Sequence, residues 1–371
     1  MKLKLKATQE QIELIKMIGS RNLTESRKAQ DMLAAFIAEV ISKVLAQAGT
    51  ASLIYTDSTF NEDDDPSIPL ELFYDQNETQ WVTVWSQAIA GGLPTSQVSG
   101  VAELKVSTYR LDSAVSFAKK YARKSRLDVI SKAVERMAQE ILVKQERNAW
   151  AVIMRAVSEA RTNGNLHILE CLTENVFQLD DMNTLMTLIR RFNTSWASGT
   201  PTSLDSFGLT DLFVSPEIKE QIRAFAYEPM NTRAGTMTSS GATAVPLPDS
   251  IREQIYRNVG TSEIYGVNIH DLNELGLSQK YNTLFQTFAG ALGVGKNSTE
   301  FVSANDEALI GFDLGRECFI RPLAQNADNG GTVVSHPDDQ WVIRSEKAGF
   351  YTAIEEGRLC LDGRGVCALV V

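Results

Sequence analysis

Residues 126–161 read RLDVISKAVERMAQEILVKQERNAWAVIMRAVSEAR. Leu127, Ile130, Val134, Met137 and Ile141 recur at three- and four-residue spacing, and Ala149, Ile153 and Val157 continue the stripe, as one face of an α-helix requires. Arg126, Lys132, Arg136, Lys144, Arg147 and Arg155 fall elsewhere on the wheel. No Gly or Pro interrupts the run, and Asn163–Gly164 supplies a stop. As one helix it is about 54 Å long at 1.5 Å per residue, several times the average. Only part of such a helix fits into one domain core, so it is expected to act as a spine.

Working toward the N-terminus, residues 8–20 and 24–48 are expected to be helical. Thr24 is the cap of the second, Leu33, Phe36, Ile37, Val40, Ile41, Val44 and Leu45 form its stripe, and Gly49 ends it. Residues 51–100 change texture and become rich in Thr, Ser, Asp and Pro. Two β-prone runs, Pro69–Tyr74 and Gln80–Ser86, flank the turn Asp75–Gln76–Asn77–Glu78 and read as a hairpin; a third run covers Glu103–Arg110. So long an excursion with few bulky residues cannot fold alone.

Working toward the C-terminus, 179–194 reads as an amphipathic helix started by Asp180–Asp181. Leu209–Val214, then Ser215–Pro216, then a helix over Glu217–Ala226 combine a strand, a cap, a proline at the first helical position and a helix. Further strands are expected at Glu263–Ile269, Leu309–Asp313, Glu317–Arg321 and Gln340–Arg344. Leu359–Leu361 and Val366–Val371 read as a hairpin around Asp362–Gly363. Residues 198–206 and 228–248 read as loops. The class is α+β.

The 371 residues suggest two or three domains, or one large domain with excursions. The 36 Lys and Arg against 46 Asp and Glu give a net charge of −10, which hides a segregation of sign. Residues 1–43 carry eight bases and five acids, residues 44–104 nine acids and no base, and residues 119–161 eleven bases and five acids. Basic segments of this kind can face a polyanion. Cys171, Cys318, Cys360 and Cys367 are too few and too scattered for a disulfide framework. The N-terminal MKLKLKATQEQ has no apolar core of a secretory signal, and no run of 18 apolar residues exists. A soluble protein made in a reducing cytoplasm is the expectation.

Chemistry is sparse. Gly290-Ala-Leu-Gly-Val-Gly-Lys296 has the G-x-x-x-x-G-K spacing of a phosphate loop, but Asn297 stands where Ser or Thr would hold magnesium, and no convincing amphipathic helix follows. A flexible Gly-rich loop is the better reading, and a nucleotide-binding enzyme using Gly290–Lys296 is the alternative from another functional class. His167, His270 and His336 lie far apart, without the company of a metal motif. The acidic run Glu62–Asp65 lacks the glycine and terminal glutamate of a calcium loop. His167 with Glu170 is an acid–base pair on paper only, and Cys360 and Cys367 read as buried thiols flanking the terminal turn. No catalytic, cofactor or metal site is expected, and the protein is not read as an enzyme.

The order of elements (helical arm, core-poor β excursion, solitary long helix, strand–helix segment, closing strands) resembles that of the major capsid proteins of tailed phages with the Hong Kong 97-like fold. Asp211-Leu-Phe-Val-Ser-Pro-Glu217, Ile310-Gly-Phe-Asp-Leu314, Trp341-Val-Ile-Arg344 and Lys347-Ala-Gly-Phe-Tyr351 carry the resemblance. It implies an arm over 1–50 and an extended loop over 51–110. It further implies a peripheral domain over 111–200 and 301–371, with 126–161 as its spine, and an axial domain over 201–300. It also implies hexamers and pentamers in an icosahedral virion shell around double-stranded DNA, made in the host cytoplasm. Portal, scaffold and cementing proteins are further partners, and no membrane is involved. Leu72, Tyr74, Trp81 and Trp85 are then candidates for burial against a neighbouring subunit. Lys2, Lys4, Lys6, Arg126, Lys132 and Arg136 are candidates for facing DNA without sequence reading. Some shells of this fold weld subunits through a lysine of the extended loop; no Lys lies between Lys43 and Lys105, so a non-covalent shell is expected. Within the fold, an encapsulin-like nanocompartment shell is the alternative.

Overall fold

The computed structural model describes residues 9–20, 22–47, 49–69, 103–124, 127–162, 164–194, 208–225, 249–250, 253, 262–326, 331–338 and 346–371. The hairpin runs at 69–74 and 80–86 and the strand at 340–344 lie mostly or wholly outside them, as do Leu72, Tyr74, Trp81, Trp85, Lys2, Lys4, Lys6 and Arg126.

In chain order the elements are α1 (Gln9–Ile18), α2 (Leu23–Gln47), β1 (Tyr55–Asn61), β2 (Ser67–Pro69), β3 (Glu103–Lys105), β4 (Tyr109–Ala118), α3 (Lys119–Arg123) and α4 (Leu127–Glu159). There follow β5 (Arg161–Thr162), β6 (Asn165–Leu166), β7 (Ile168–Glu170), α5 (Leu179–Thr194), β8 (Asp211–Val214) and α6 (Pro216–Ala224). The rest are β9 (Ser262–Ile264), β10 (Val267–Asp271), α7 (Lys280–Ala289), β11 (Ala308–Phe312), β12 (Phe319–Gln325), β13 (Val334–Asp338), β14 (Lys347–Glu356), β15 (Leu359–Cys360) and β16 (Val366–Val370). The expected spine is present as the 33-residue α4, whose Leu127–Ala149 portion belongs to one compact unit and Trp150–Glu159 to the other.

The first unit comprises residues 1–66, 105–149 and 319–359. Its sheet has β14 at the centre. β4 pairs antiparallel along all ten residues, from Lys347 opposite Ala118 to Glu356 opposite Tyr109, and β13 pairs antiparallel with the same strand. β1 lies parallel to β12, from Tyr55 opposite Phe319 to Asn61 opposite Gln325. Ile15, Ile18, Leu33, Ile37 and Ile41 of the two N-terminal helices share a core with Val134, Met137 and Ile141 of α4 and Phe117, Phe350 and Ile354 of the sheet. Of the periodic positions read in α4, Val134, Met137, Ile141, Ala149, Ile153 and Val157 are buried. The cap of α2 differs from the expectation: the helix starts one residue early, and the Asn22 side chain accepts the Thr24 N–H at 3.3 Å. An asparagine side chain reaches the same orphan donors as a threonine hydroxyl.

The second unit comprises residues 67–104, 150–318 and 360–371, and its sheet runs β7-β16-β11-β8-β10-β9. β8, β11 and β16 are buried along their whole lengths, the continuous apolar pattern of strands covered on both faces. Gly311 is required where β11 meets β16: a Cβ there would stand 2.7 Å from Leu209 Cδ1 and 2.9 Å from Cys367 Sγ. Trp150 is fully buried, stacked on Tyr281 at 5.3 Å and edge-on to Phe213 at 5.4 Å and Phe312 at 6.5 Å. The strand–helix unit forms as read: Ser215 Oγ accepts the Ile218 N–H at 3.1 Å and Pro216 takes the first helical position.

Two further expectations are corrected. Glu263–Ile269 is not one strand but the hairpin β9–β10, because Tyr265 and Gly266 both take positive φ (52° and 80°), as a primed two-residue turn demands. The C-terminal segment is not a hairpin. β16 pairs with β11 and β7 instead of residues 359–361, and Gly363 opens a 3-10 turn whose N–H donor at Arg364 is held by the Asp362 carboxylate at 3.0 Å.

Removal of Trp150 by Trp150→Ala is expected to cost ~3–5 kcal/mol. Loss of the Ser215 cap by Ser215→Ala is expected to cost ~1 kcal/mol. Urea unfolding of both variants checks the order; a Trp150→Ala loss no larger than that of Ser215→Ala contradicts this packing.

Candidate assembly interface

A buried polar network in the first unit holds Tyr109, at the start of β4, and Tyr55, at the start of β1. Glu356, at the end of β14, is fully buried. One of its oxygens accepts from Tyr109 Oη at 2.7 Å, and the other accepts from Gln145 Nε2 of α4 at 3.0 Å and from Arg358 Nη2 at 3.3 Å. The Arg358 guanidinium also lies 4.6 Å from the centroid of the Tyr55 ring, whose hydroxyl donates to the Ala149 carbonyl at 3.0 Å. Thr108 donates to Glu355 at 2.6 Å, and Glu146 of α4 accepts from Thr50 Oγ1 at 3.0 Å and from the Ala51 N–H at 3.2 Å. A buried charge persists only when paired and hydrogen-bonded, and Glu356 is both. Burial first, then the neighbouring Glu356 charge, push the Tyr109 hydroxyl up from 10.0 to about 12.

Two bare surfaces of the same unit stand out. Thr56, Asp57, Ser58 and Thr59 of β1 are exposed in succession, so both pleat faces of the strand meet solvent. Asp57 pairs with Arg321 through two contacts, Nε at 2.6 Å and Nη2 at 2.5 Å. Beyond it, Glu62, Asp63, Asp64 and Asp65 form an exposed turn. On α4, Lys132, Arg136, Lys144 and Arg147 are exposed, with Val143 among them at 61%. Of the sequence-derived DNA-facing candidates, Lys132 and Arg136 thus lie on one helical face.

The alternative chemistry does not assemble. Lys296 donates to the Asn305 carbonyl at 2.5 Å and to the Asn175 side chain, and sits 3.8 Å from Asp306. The Asn297 N–H is taken by Glu170, and the Asn297 amide donates to Glu174 at 2.6 Å. The would-be phosphate cradle is occupied by the chain's own carboxylates, and Gly290–Lys296 follows α7 instead of opening a helix. His167 is buried, stacked on Phe192 at 3.7 Å, with Nδ1 at 3.0 Å from the Gly363 carbonyl; burial lowers its pKa. Glu170 serves Asn297, so the paper pair with His167 is not formed. The four cysteines are free, and burial raises the thiols of Cys318, Cys360 and Cys367. Among the described residues no cluster of metal-ligating side chains occurs, and no helix is long and apolar enough to cross a membrane.

The sequence reading missed the Tyr109–Gln145–Glu356–Arg358 network and a second one, in the other unit. There Asp362 accepts from Arg316 Nη1 at 3.0 Å and from Arg364 Nη2 at 3.0 Å. A signal for the first was present: Phe350, Thr352, Ile354 and Glu356 share one strand face at period two, which places a carboxylate on a core face.

Arg358→Met strands Glu356 without its ion pair and is expected to cost ~3–5 kcal/mol in urea unfolding. A loss below ~1 kcal/mol contradicts the buried pair. Because the folded state holds Tyr109 protonated, its contribution is complete below pH 10, where the unfolded tyrosine ionises, and is lost as pH rises to about 12. A phenolate difference titration of the unaltered chain against Tyr109→Phe should show a midpoint near 12; a midpoint near 10 contradicts the burial of this hydroxyl.

No family model matches the sequence, and no curated protein matches it. Solved structures do. The capsid structure of cyanophage P-SCSP1u is similar over 87% of this chain and 88% of that one, with a TM-score of 0.51 at 13% identity. The capsid asymmetric unit of cyanophage Pam1 is similar over 85% and 88%, with a TM-score of 0.47 at 12% identity. The holo-SrpI encapsulin complex of Synechococcus elongatus is similar over 73% and 76%, with a TM-score of 0.40 at 10% identity. The likeness to the P-SCSP1u capsid, with the mixed sheets and helices described above, shows that this chain has the α+β, Hong Kong 97-like fold of tailed-phage major capsid proteins.

Proposed function

We propose that the chain is the major capsid protein of a tailed phage, forming hexamers and pentamers of an icosahedral shell around double-stranded DNA. The observation that carries the reading is the likeness to the capsid protein of cyanophage P-SCSP1u along nearly the full length of both chains. Fold alone does not assign function. Here it is joined by a sheet strand exposed on both faces from Thr56 to Thr59, a surface that suits a chain completed by its neighbours.

In this proposal residues 1–50 are the arm, 51–110 the extended loop, 111–200 and 301–371 the peripheral domain and 201–300 the axial domain. β8, α6, β10 and α7 lie inside the axial range, and β7, β11 and β16 from outside it complete the same sheet. Leu72, Tyr74, Trp81 and Trp85 are proposed to be buried on a neighbouring subunit, and Lys2, Lys4, Lys6 and Arg126 to face DNA. The absence of lysine from 44 to 104 supports a non-covalent shell, since an extended-loop amine would be the nucleophile of a weld. Portal, scaffold and cementing proteins are the further partners of such a shell.

Electron microscopy with light scattering at low and high salt tests this. Uniform closed particles that run as a single band on a denaturing gel are expected, with nucleic acid inside particles from an infected host. A chain that stays monomeric at every concentration and salt contradicts the shell, and a covalent ladder contradicts the non-covalent part. Particles that enclose protein instead of nucleic acid favour a nanocompartment.

A further inference from the structure

We infer that His167 is an acid-sensitive clasp within the second unit. Its neutral ring closes the 3-10 turn after Asp362 and the entry of β16 onto β7, and a second proton on the ring releases them.

His167 stands immediately before β7 and is 1% exposed. Its backbone already joins two segments: the N–H donates to the Ala160 carbonyl at 3.2 Å, and the carbonyl accepts the Ala368 N–H of β16 at 3.0 Å. The side chain adds two more. Nδ1 lies 3.0 Å from the Gly363 carbonyl and 3.1 Å from the Val366 carbonyl. A carbonyl oxygen only accepts, so Nδ1 carries the proton and donates to both, and in the neutral ring Nε2 carries none. The ring lies flat on Phe192 of α5, with centroids 3.7 Å apart and planes 15° from parallel. One imidazole thus ties the start of β7 to the 3-10 turn, to β16 and to α5. The tie reaches further, because the Gly365 carbonyl of that turn accepts the Asp313 N–H at 2.9 Å, directly after β11.

A second proton goes to Nε2 and turns the ring into a cation at a place closed to water, where the charged form is disfavoured. The charges around it give little relief. Asp362 is the acid whose charge reaches the ring, and its carboxylate is already engaged by Arg316 and Arg364, each at 3.0 Å. On α5, Arg190 and Arg191 are exposed, as is Arg161 of β5. β16 brings only Val366, Ala368 and the buried thiol of Cys367 against this end of β7. Burial is the largest influence and lowers the ring's pKa; the two carbonyls and Asp362 oppose it without overcoming it. The unfolded ring takes its proton near 6.5, and the folded ring only at lower pH. The stability held by the clasp is therefore complete above 6.5 and is lost as pH falls from there through the folded ring's own lower pKa. Such a range lies within reach of ordinary biological acidification, which no other side chain covers without help from its surroundings.

Urea unfolding of the full chain between about pH 8 and pH 5, beside His167→Gln, tests the clasp. Glutamine keeps an N–H donor and cannot take the second proton. The unfolding equilibrium constant of the unaltered chain should rise with acid more steeply than that of the variant, by up to about tenfold per pH unit, the limit for one linked proton. A difference between the two chains that stays constant with pH overturns the inference. Should His167→Gln fail to fold, the unaltered chain still decides. It has three histidines, and nuclear magnetic resonance of the histidine-labelled chain, with His270→Gln and His336→Gln to assign the other two, reads the ring directly. A His167 signal that titrates below 6.5 is expected, and one that titrates at or above 6.5 overturns the clasp. Hydrogen exchange, corrected for the intrinsic effect of pH, locates the opening. It should rise on acidification in residues 161–171 and 361–370, while β4 and β14 of the first unit keep their protection. A rise spread evenly over both units makes the acid effect general and contradicts a local clasp.

Discussion

An uninterrupted α-helix of 33 residues, whose buried stripe serves two separate cores, constrains the rest of the molecule. Val134, Met137 and Ile141 enter one core, and Trp150, Ile153, Met154 and Val157 are buried in the other unit. A helix keeps side chains at three- and four-residue spacing in line for as long as it stays regular. The sequence from Leu127 to Glu159 contains neither Gly nor Pro, so no residue breaks that phase. The core of the first unit cannot change register on the helix without turning Lys132 or Arg147 inward, where an unpaired cation is costly.

The first unit also holds a buried polar network. The start of β4 and the end of β14 meet, and Glu356 collects a hydroxyl from β4, an amide from α4 and the guanidinium of Arg358. An apolar residue at 356 would avoid the desolvation of a carboxylate. The carboxylate instead specifies which groups meet, since each partner left unpaired would be buried without compensation. The start of β4 is thereby fixed, while Thr56–Thr59 of β1 stay exposed.

Legibility tracked burial. The stripe of α4 and the helix 179–194 were readable because each buries one face against a core, and burial writes a period into sequence. Ser215–Pro216 was readable because cap chemistry is local. β1 was not: YTDSTFN has no alternation, and the structure gives the reason, since from Thr56 to Thr59 the residues on both faces of the strand are exposed. The hairpin at Tyr265–Gly266 was hidden because a non-glycine residue takes the first positive-φ position. The terminal Asp362–Gly363 pair misled because its aspartate holds Arg364 and Arg316 and the strand after it pairs elsewhere. The network around Glu356 joins residues more than 200 positions apart, from Gln145 to Glu356, and no local pattern reports that pairing.

In the proposed shell, the exposed stretch of β1 is a surface that a neighbouring copy of the chain covers. Hydrogen exchange on assembled particles against unassembled chain measures this directly, peptide by peptide. The account predicts that protection gained on assembly includes the open edge of Tyr55–Asn61, while the already covered β8, β11 and β16 stay unchanged. Equal exchange of Tyr55–Asn61 in both states would contradict it.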